Sequence, residues 1–167
     1  VVDIAWGGAD EGPVVVYHHG TPTCRVIPSD FLAAAAQRGV RVRLLLQGRY
    51  EYFMQFHAVR MVYGVLLAKG IEIYEYHPSF LHAKVAVIDG HWATVGSSNL
   101  DPLSLLLARE ANIVVQATAF ARELRARLMA AMETEGRLVD PGAYAERPWR
   151  QRLLDLLALG LMRFAFI

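Results

Sequence analysis

The stretch LHAKVAVIDGHWATVGSSN, residues 81–99, decides the fold of this chain. Two apolar runs rich in valine flank Asp89 and Gly90, a pair that favours a two-residue type I′ hairpin turn. Side chains two positions apart on a strand share one face of a sheet. His82 and Lys84 are therefore expected to point the same way from the first strand of an antiparallel pair.

The second strand repeats this spacing where it ends, at Ser97 and Asn99. An imidazole, an ammonium, a hydroxyl and an amide would then meet at one sheet edge. This set suits a phosphate, because it offers a fixed positive charge, two neutral donors and a nucleophile that titrates near neutrality. Gly96 allows a ligand or another backbone to approach closely. Asp89 taken alone is explained by turn chemistry, but the joint pattern indicates a functional site.

Composition gives wider bounds. The 167 residues are 54% apolar and 20% charged, which is typical of one globular domain. The formal net charge of +1 creates no overall field for nucleic acid or anionic lipid, so any anion site must be local. Cys24 is the only cysteine, which excludes an intrachain disulfide and a cysteine zinc cluster. No signal peptide is expected, and no apolar run reaches the roughly 18 residues of a membrane span.

Strand and helix patterns alternate along the chain, which predicts an α/β fold with a mixed β-sheet flanked by helices. A turn is expected at residues 140–142, and Thr118 is expected to cap the helix that follows it. The predicted strands cover residues 14–17, 40–47, 71–76, the two arms of the hairpin and 109–116, and the predicted helices cover 31–39, 54–69, 120–136 and a segment after Pro148.

Residues His82, Lys84, Asp89, Gly96, Ser97 and Asn99 match the HxKx4Dx6GSxN signature of the phospholipase D superfamily at every fixed position. Over about residues 40–140 the sequence most resembles the bacterial cardiolipin synthases. The resemblance implies a phospholipase D-like single half and a two-step phosphodiester transfer that needs no metal or cofactor. The acceptor would be a glycerol-type alcohol or water.

The resemblance also implies a role for each matching side chain. His82 would attack phosphorus and form a phosphohistidine, while Lys84, Ser97 and Asn99 would hold the phosphoryl oxygens. Glu110 stands where the family has a glutamate that orients the nucleophile. Asp89 would support the site without touching the substrate.

Family members usually carry two such motifs, whereas this chain has one, since no other histidine has a lysine two residues on. Either the chain forms a homodimer, or it is the C-terminal half of a larger synthase. The leading interpretation is a phosphatidyltransferase of cardiolipin synthase type that acts on a phosphatidylglycerol-like phospholipid. The alternatives are a homodimeric phosphodiesterase or nuclease and a non-catalytic chimeric domain. The near-neutral charge argues against strong binding of nucleic acid.

Residues 1–40 resemble the opening strand and HG loop of an α/β-hydrolase, although the G-x-S-x-G elbow of that family is absent. The sequence thus suggests a chimera. Its predicted parts are a strand–helix segment at 1–40 that completes the sheet, a phospholipase D-like domain at 41–140, and an amphipathic apolar tail at 141–167.

Arg49 and His77 follow strand ends and, with Gly96, are candidates for lining the substrate site; a solvated arginine is the alternative for Arg49. Residues 147–167 combine arginines, Trp149 and a leucine stripe. This composition suits a helix lying in an anionic lipid surface, or one packed on the body or in a dimer interface. The expected location is the cytoplasm, with peripheral contact at the inner face of the membrane.

Overall fold

The structure is a computed structural model that describes residues 29–49, 53–97 and 111–165. The strand expected at residues 14–17 lies outside these ranges, as do Asn99 and Glu110. Eleven elements occur in the described residues, in the order α1 (Ser29–Gln37), β1 (Arg43–Gln47), α2 (Phe53–Leu67), β2 (Glu72–Tyr76), β3 (Lys84–Ile88), β4 (Trp92–Gly96), β5 (Asn112–Val115), α3 (Thr118–Thr134), β6 (Gly136–Leu138), α4 (Pro141–Ala145) and α5 (Trp149–Ala165).

The strands form two three-stranded sheets. In the first, of order β1-β2-β6, β1 is parallel to β2 and β6 is antiparallel to it. The three central residues of β1 are buried on both faces, which explains why its sequence is an unbroken leucine run rather than an alternating pattern. The second sheet, of order β3-β4-β5, is antiparallel throughout. Mixed pairing with helical cover confirms the predicted α/β class.

Helices cover both faces of this arrangement. Leu44 and Ile73 point into a core built with α1 and α2, whereas Leu45 points the other way, against Met132 of α3. The second sheet uses the same two layers, since Ile88 joins the first core and Val87 packs on α3 through Ala121. Side chains that alternate between the two faces of each strand therefore produce three layers, with α1 and α2 on one side of the sheets and α3 on the other.

The C-terminal segment is helical and packs along α2. Asp140 caps α4 by accepting a hydrogen bond from the Ala143 amide, so the turn expected at 140–142 opens a short helix instead. In α5, Asp155 and Ala158 are buried against the body. The opposite face of α5 exposes five large apolar side chains, Trp149, Leu153, Leu156, Leu157 and Leu161. The tail thus packs on the body along one face and presents an apolar stripe along the other.

Candidate functional site

The hairpin of β3 and β4 forms as predicted, with one difference in its loop. Ile88 pairs with Trp92, so three residues connect the strands rather than two. Asp89 and Gly90 have φ values of 52° and 65°, and the His91 amide donates to the Ile88 carbonyl at 3.2 Å. The expected type I′ turn is present, but it is followed by one extra residue, His91.

Asp89 lies at the far end of this hairpin from the histidine–lysine pair. Five strand steps separate it from Lys84, a span of about 16 Å. Its positive φ is a conformation that aspartate tolerates better than most residues do. Asp89 therefore helps to form the turn, and its carboxylate lies well away from Lys84.

His82 and Lys84 meet at the other end, where β3 begins. The Nζ atom of Lys84 lies 2.7 Å from Nε2 of His82. The lysine is 8% exposed, whereas His82 is exposed to solvent. An ammonium can only donate hydrogen bonds, so Nε2 accepts and the ring proton resides on Nδ1. The lone pair on Nε2 of the exposed His82 ring and the positive charge of the buried Lys84 thus lie next to each other. A phosphoryl oxygen bound at this point is able to accept the hydrogen bond from Lys84 in place of the ring.

This tautomer leaves Nδ1–H as a donor on the opposite side of the ring. A carboxylate there would fix the ring orientation, which is the role that the family resemblance implies for Glu110. That role stays a prediction because Glu110 lies outside the described residues.

On β4, the residue opposite Lys84 is Gly96, not Ser97. A Cβ atom at Gly96 would overlap the Ala111 carbonyl and the backbone of Asn112 on the neighbouring strand. The close approach that requires glycine here therefore comes from a backbone. Ser97 follows the strand end, its amide donates to the Ala111 carbonyl at 3.0 Å, and its Oγ accepts from the Ala111 amide at 3.2 Å. These contacts tie β4 to β5, and a contact of Ser97 with phosphate stays a prediction.

The loop that leads into His82 passes the carboxyl ends of β1 and β2. The His77 ring rests on Gly48, is 46% exposed, and has Nε2 3.7 Å from Oε2 of Glu75. The Arg49 guanidinium lies over the Phe80 ring at 5.4 Å. Of the three predicted substrate-lining residues, His77 thus lies on this loop, Arg49 lies against it, and Gly96 lies on β4.

Two features of this region were missed by sequence reasoning. The first is a buried ion pair: Glu75 is 7% exposed, and its Oε1 lies 2.5 Å from Nη2 of Arg60. Burial, with a smaller contribution from the Glu75 carboxylate, raises the pKa of Tyr63 far above its ordinary value near 10. The second feature is Gln47, whose Oε1 accepts a hydrogen bond of 2.5 Å from the Leu81 amide. Single polar residues inside apolar strand and helix patterns give no sequence signal for such partners.

Within the described ranges, no group of three histidine, cysteine, aspartate or glutamate side chains is arranged to hold a metal ion. Across the same part of the chain, no helix combines the length and the apolar character needed to span a bilayer.

Solved structures share this fold. The phospholipase D family member Nuc from Salmonella typhimurium superimposes with a TM-score of 0.58 over 75% of this chain and 79% of Nuc, at 18% identity. Phosphatidylserine synthase from Haemophilus influenzae gives 0.60 over 91% of this chain and 39% of the synthase, at 11% identity. The fold is thus one that Nuc, a member of the phospholipase D family, shares.

The sequence places the chain more narrowly. Residues 14–132 match the family described as cardiolipin synthase, PLD-like domain, and the chain belongs to that family. The match includes residues 14–40, where we noted a resemblance to α/β-hydrolases; the chimera and the domain division stay predictions.

Curated relatives include cardiolipin synthase B of Salmonella typhi, 40% identical over 77% of this chain. Cardiolipin synthase A of Erwinia tasmaniensis is 35% identical over 79% of it. The chain spans 31% and 28% of these two relatives, or about a third of their length.

Proposed function

We propose that this chain supplies one histidine–lysine motif to an active site that transfers a phosphatidyl group between alcohols, in the manner of a cardiolipin synthase. The observation that carries the proposal is the convergence of His82 Nε2 and Lys84 Nζ at 2.7 Å. It puts a nucleophile and an oxyanion-binding charge at one point. Membership of the cardiolipin synthase family supports a phospholipid as the substrate.

In the first step, His82 Nε2 attacks the phosphorus of a phosphodiester, and a P–N bond forms as the bond to the leaving alcohol breaks. Lys84 stabilises the negative charge on the phosphoryl oxygens. A general acid donates a proton to the departing oxygen. In the second step an acceptor alcohol loses a proton to that same group and attacks phosphorus, which breaks the P–N bond and frees His82.

We propose that a second copy of the motif supplies the general acid, because His82 itself becomes the phosphorylated group. Since this chain has a single such motif, the second comes from another copy of the chain in a homodimer or from further sequence of a longer protein. The two sources predict different native masses in solution.

The test is incubation with phosphatidylglycerol vesicles labelled in the phosphate, followed by a rapid quench. We expect label on His82 in the wild type and none in His82→Ala, together with loss of product. His91→Ala is the matched control, because His91 is exposed at the opposite end of the same hairpin. If label never attaches to His82, the proposal is wrong. Cleavage of plasmid without any reaction on phospholipid would favour the nuclease alternative instead.

The outward face of α5 supports a further part of the proposal, that this helix holds the chain at an anionic lipid surface. Its apolar stripe lies opposite the buried Asp155, and Arg150 and Arg152 are exposed at the end where Trp149 begins the helix. An apolar face with aromatic and cationic residues at one end suits the boundary between lipid headgroups and acyl chains.

Vesicle flotation tests this contact. We expect binding to phosphatidylglycerol vesicles, weaker binding to phosphatidylcholine vesicles, and a loss of at least about tenfold in the double variant Leu153→Glu/Leu157→Glu. The control is the double variant Val65→Glu/Leu138→Glu, which adds the same two charges at apolar residues of similar exposure outside α5. Equal flotation of the two double variants would contradict lipid contact through α5.

A further inference from the structure

Three consecutive residues at the end of β1 hold the loop that delivers His82. The Gly48 amide donates to the Tyr76 carbonyl at 2.8 Å, and the His77 ring packs directly on Gly48. Arg49 lies over Phe80. Between these contacts, Oε1 of Gln47 accepts the 2.5 Å hydrogen bond from the Leu81 amide. The Leu81 N–H belongs to the peptide unit that joins Phe80 to Leu81, so this last bond fixes the chain one peptide unit before the one that joins Leu81 to His82.

Gln47 is a costly way to hold this loop. Its Nε2 atom is buried and has no hydrogen-bond partner among the described residues. A buried donor without a partner destabilises a fold. A leucine at position 47 would fill similar space and remove this unpaired donor, but it would leave the Leu81 amide without its acceptor. Stability alone therefore gives glutamine no clear advantage here, whereas a requirement for its Oε1 at the Leu81 amide explains it.

The effect of this bond on His82 follows from where the loop is already fixed. Leu81 packs against the core around Leu45 and Met132, and Lys84 is fixed by strand pairing to Gly96. His82 lies between these two anchors, and within the described residues its exposed ring is held by Lys84 Nζ. Fixing the Phe80–Leu81 peptide plane therefore limits the backbone movement that would carry the imidazole away from Lys84.

We propose that Gln47 is a positioning residue for the nucleophile, acting through the Leu81 backbone amide on the orientation of His82. This inference rests on the proposed phosphoryl transfer for its kinetic consequence, but the contact itself is independent of it. Gln47 touches no reacting atom. Its contribution is to keep Nε2 directed at the point where phosphorus must arrive, and a misplacement of about 1 Å costs a reaction roughly 100-fold.

The test compares Gln47→Leu, which removes the acceptor, with Gln47→Glu, which keeps an acceptor oxygen at the same reach. Gln37→Leu is the matched control, because Gln37 is exposed at the end of α1. We expect Gln47→Leu to form phosphohistidine about 10–100-fold more slowly in single turnovers, with KM within about twofold. The melting temperature should stay within a few degrees of that of the wild type, because the substitution removes the unpaired Nε2 donor and leaves the Leu81 amide unpaired instead. Gln47→Glu should recover most of the rate.

A second readout uses the free protein and no substrate. In NMR spectra, Gln47→Leu should speed hydrogen exchange of the Leu81 amide and weaken the nuclear Overhauser effects between the His82 ring and the Lys84 side chain. If the wild type forms no phosphohistidine while these spectral changes occur, the proposed function fails and the positioning contact stands. Positioning is overturned if Gln47→Leu leaves the His82–Lys84 contacts or the rate unchanged. It is equally overturned if Gln47→Glu is as slow as Gln47→Leu, or if the rate falls only with the melting temperature.

Discussion

At the scale of single residues, Lys84 shows how the site combines charge with burial. The chain has two lysines, and Lys84 is 8% exposed whereas Lys69 is exposed after the end of α2. A buried ammonium is expensive unless a partner compensates for lost water. His82 is such a partner in this structure, and a phosphoryl oxygen would be a better one because it carries negative charge.

Replacing this lysine should therefore separate catalysis from stability. We expect Lys84→Met to lower the rate of phosphohistidine formation by at least about 100-fold, since the positive charge at the phosphoryl oxygens is lost. The melting temperature should stay within a few degrees, because methionine fills similar space without a buried charge. Lys69→Met is the matched control and should leave both quantities unchanged. A Lys84→Met variant that turns over normally would contradict the placement of phosphate beside this residue.

For Gly96 we expect the opposite pattern, an effect on the stability of the fold. Its missing side chain is what allows the Ala111 and Asn112 backbone to approach. We expect Gly96→Ala to lower the free energy of unfolding by about 1–3 kcal/mol or more, as overpacking of a close contact does. Urea denaturation followed by circular dichroism measures this loss.

The comparison for Gly96→Ala is Gly160→Ala. Gly160 lies inside α5 and nothing is within 4 Å of a Cβ built there. Alanine should stabilise that helix by up to about 1 kcal/mol. Equal effects of the two substitutions would mean that the β4–β5 approach does not require glycine.

Residues differ in how well sequence alone predicted them. The spacing of His82 and Lys84 predicted that the two side chains lie together, and they do, although β3 begins at Lys84 and His82 lies on the loop just before it. Gly96 was predicted to admit a ligand or a backbone, and only the register of β5 distinguishes these. Gln47 was missed because its partner is 34 residues away and is a backbone amide, which leaves no trace in sequence.

At the scale of elements, regular patterns were predicted well and short or locally capped elements were not. The helix ending before Gly39 and the helix ending before Gly70 are both observed, and both glycines have positive φ values. The expected cap at Thr118 is wrong, since Ala117 is the N-cap and makes no side-chain hydrogen bond. Strand β6 was missed because three residues carry no periodicity, and it exists through its pairing with β2.

The packing of α2 on β2 leads to a prediction about alkaline pH. Burial raises the pKa of Tyr63 far above 10, so the folded state keeps a proton that the unfolded state loses above pH 10. Stability must therefore decrease as pH rises beyond that value. We expect Tyr63→Phe to reduce the slope of this decrease by up to about 1.4 kcal/mol per pH unit.

Denaturant titrations of both proteins between pH 7 and pH 11 give the measurement. At pH 7 the variant should be about as stable as the wild type, because Tyr63 is protonated in both the folded and the unfolded state at that pH. Tyr74 and Tyr144 also have raised pKa values, mainly through burial, so a smaller slope should remain in the variant. Parallel pH profiles for wild type and Tyr63→Phe would show that Tyr63 titrates normally.

At the scale of the whole molecule, the α/β class followed from the alternation of strand and helix patterns, while the division into two sheets did not. Pairing order depends on contacts between distant segments, and β2 meets β6 across about 60 residues of sequence. The apolar stripe of α5 was visible in the sequence as leucines on nearly all sides of a helix. Which of them face α2 was set by Asp155, whose Oδ1 lies 2.7 Å from Nδ1 of His57.

A single motif on a chain this size makes the source of the second histidine a question of assembly. If two copies form one active site across a two-fold axis, each site needs His82 from both chains, one as nucleophile and one as general acid. Mixing wild type with an equal amount of His82→Ala, after subunit exchange, leaves about a quarter of the dimers with two intact chains. Activity should therefore fall to about a quarter of that of wild type at the same total concentration. A fall only to about half would mean that each chain works without the other's His82, and the proposed homodimeric site would be wrong. Sedimentation of the same mixtures distinguishes these cases from failed exchange, because a tagged variant of different mass should form a third species between the two homodimers.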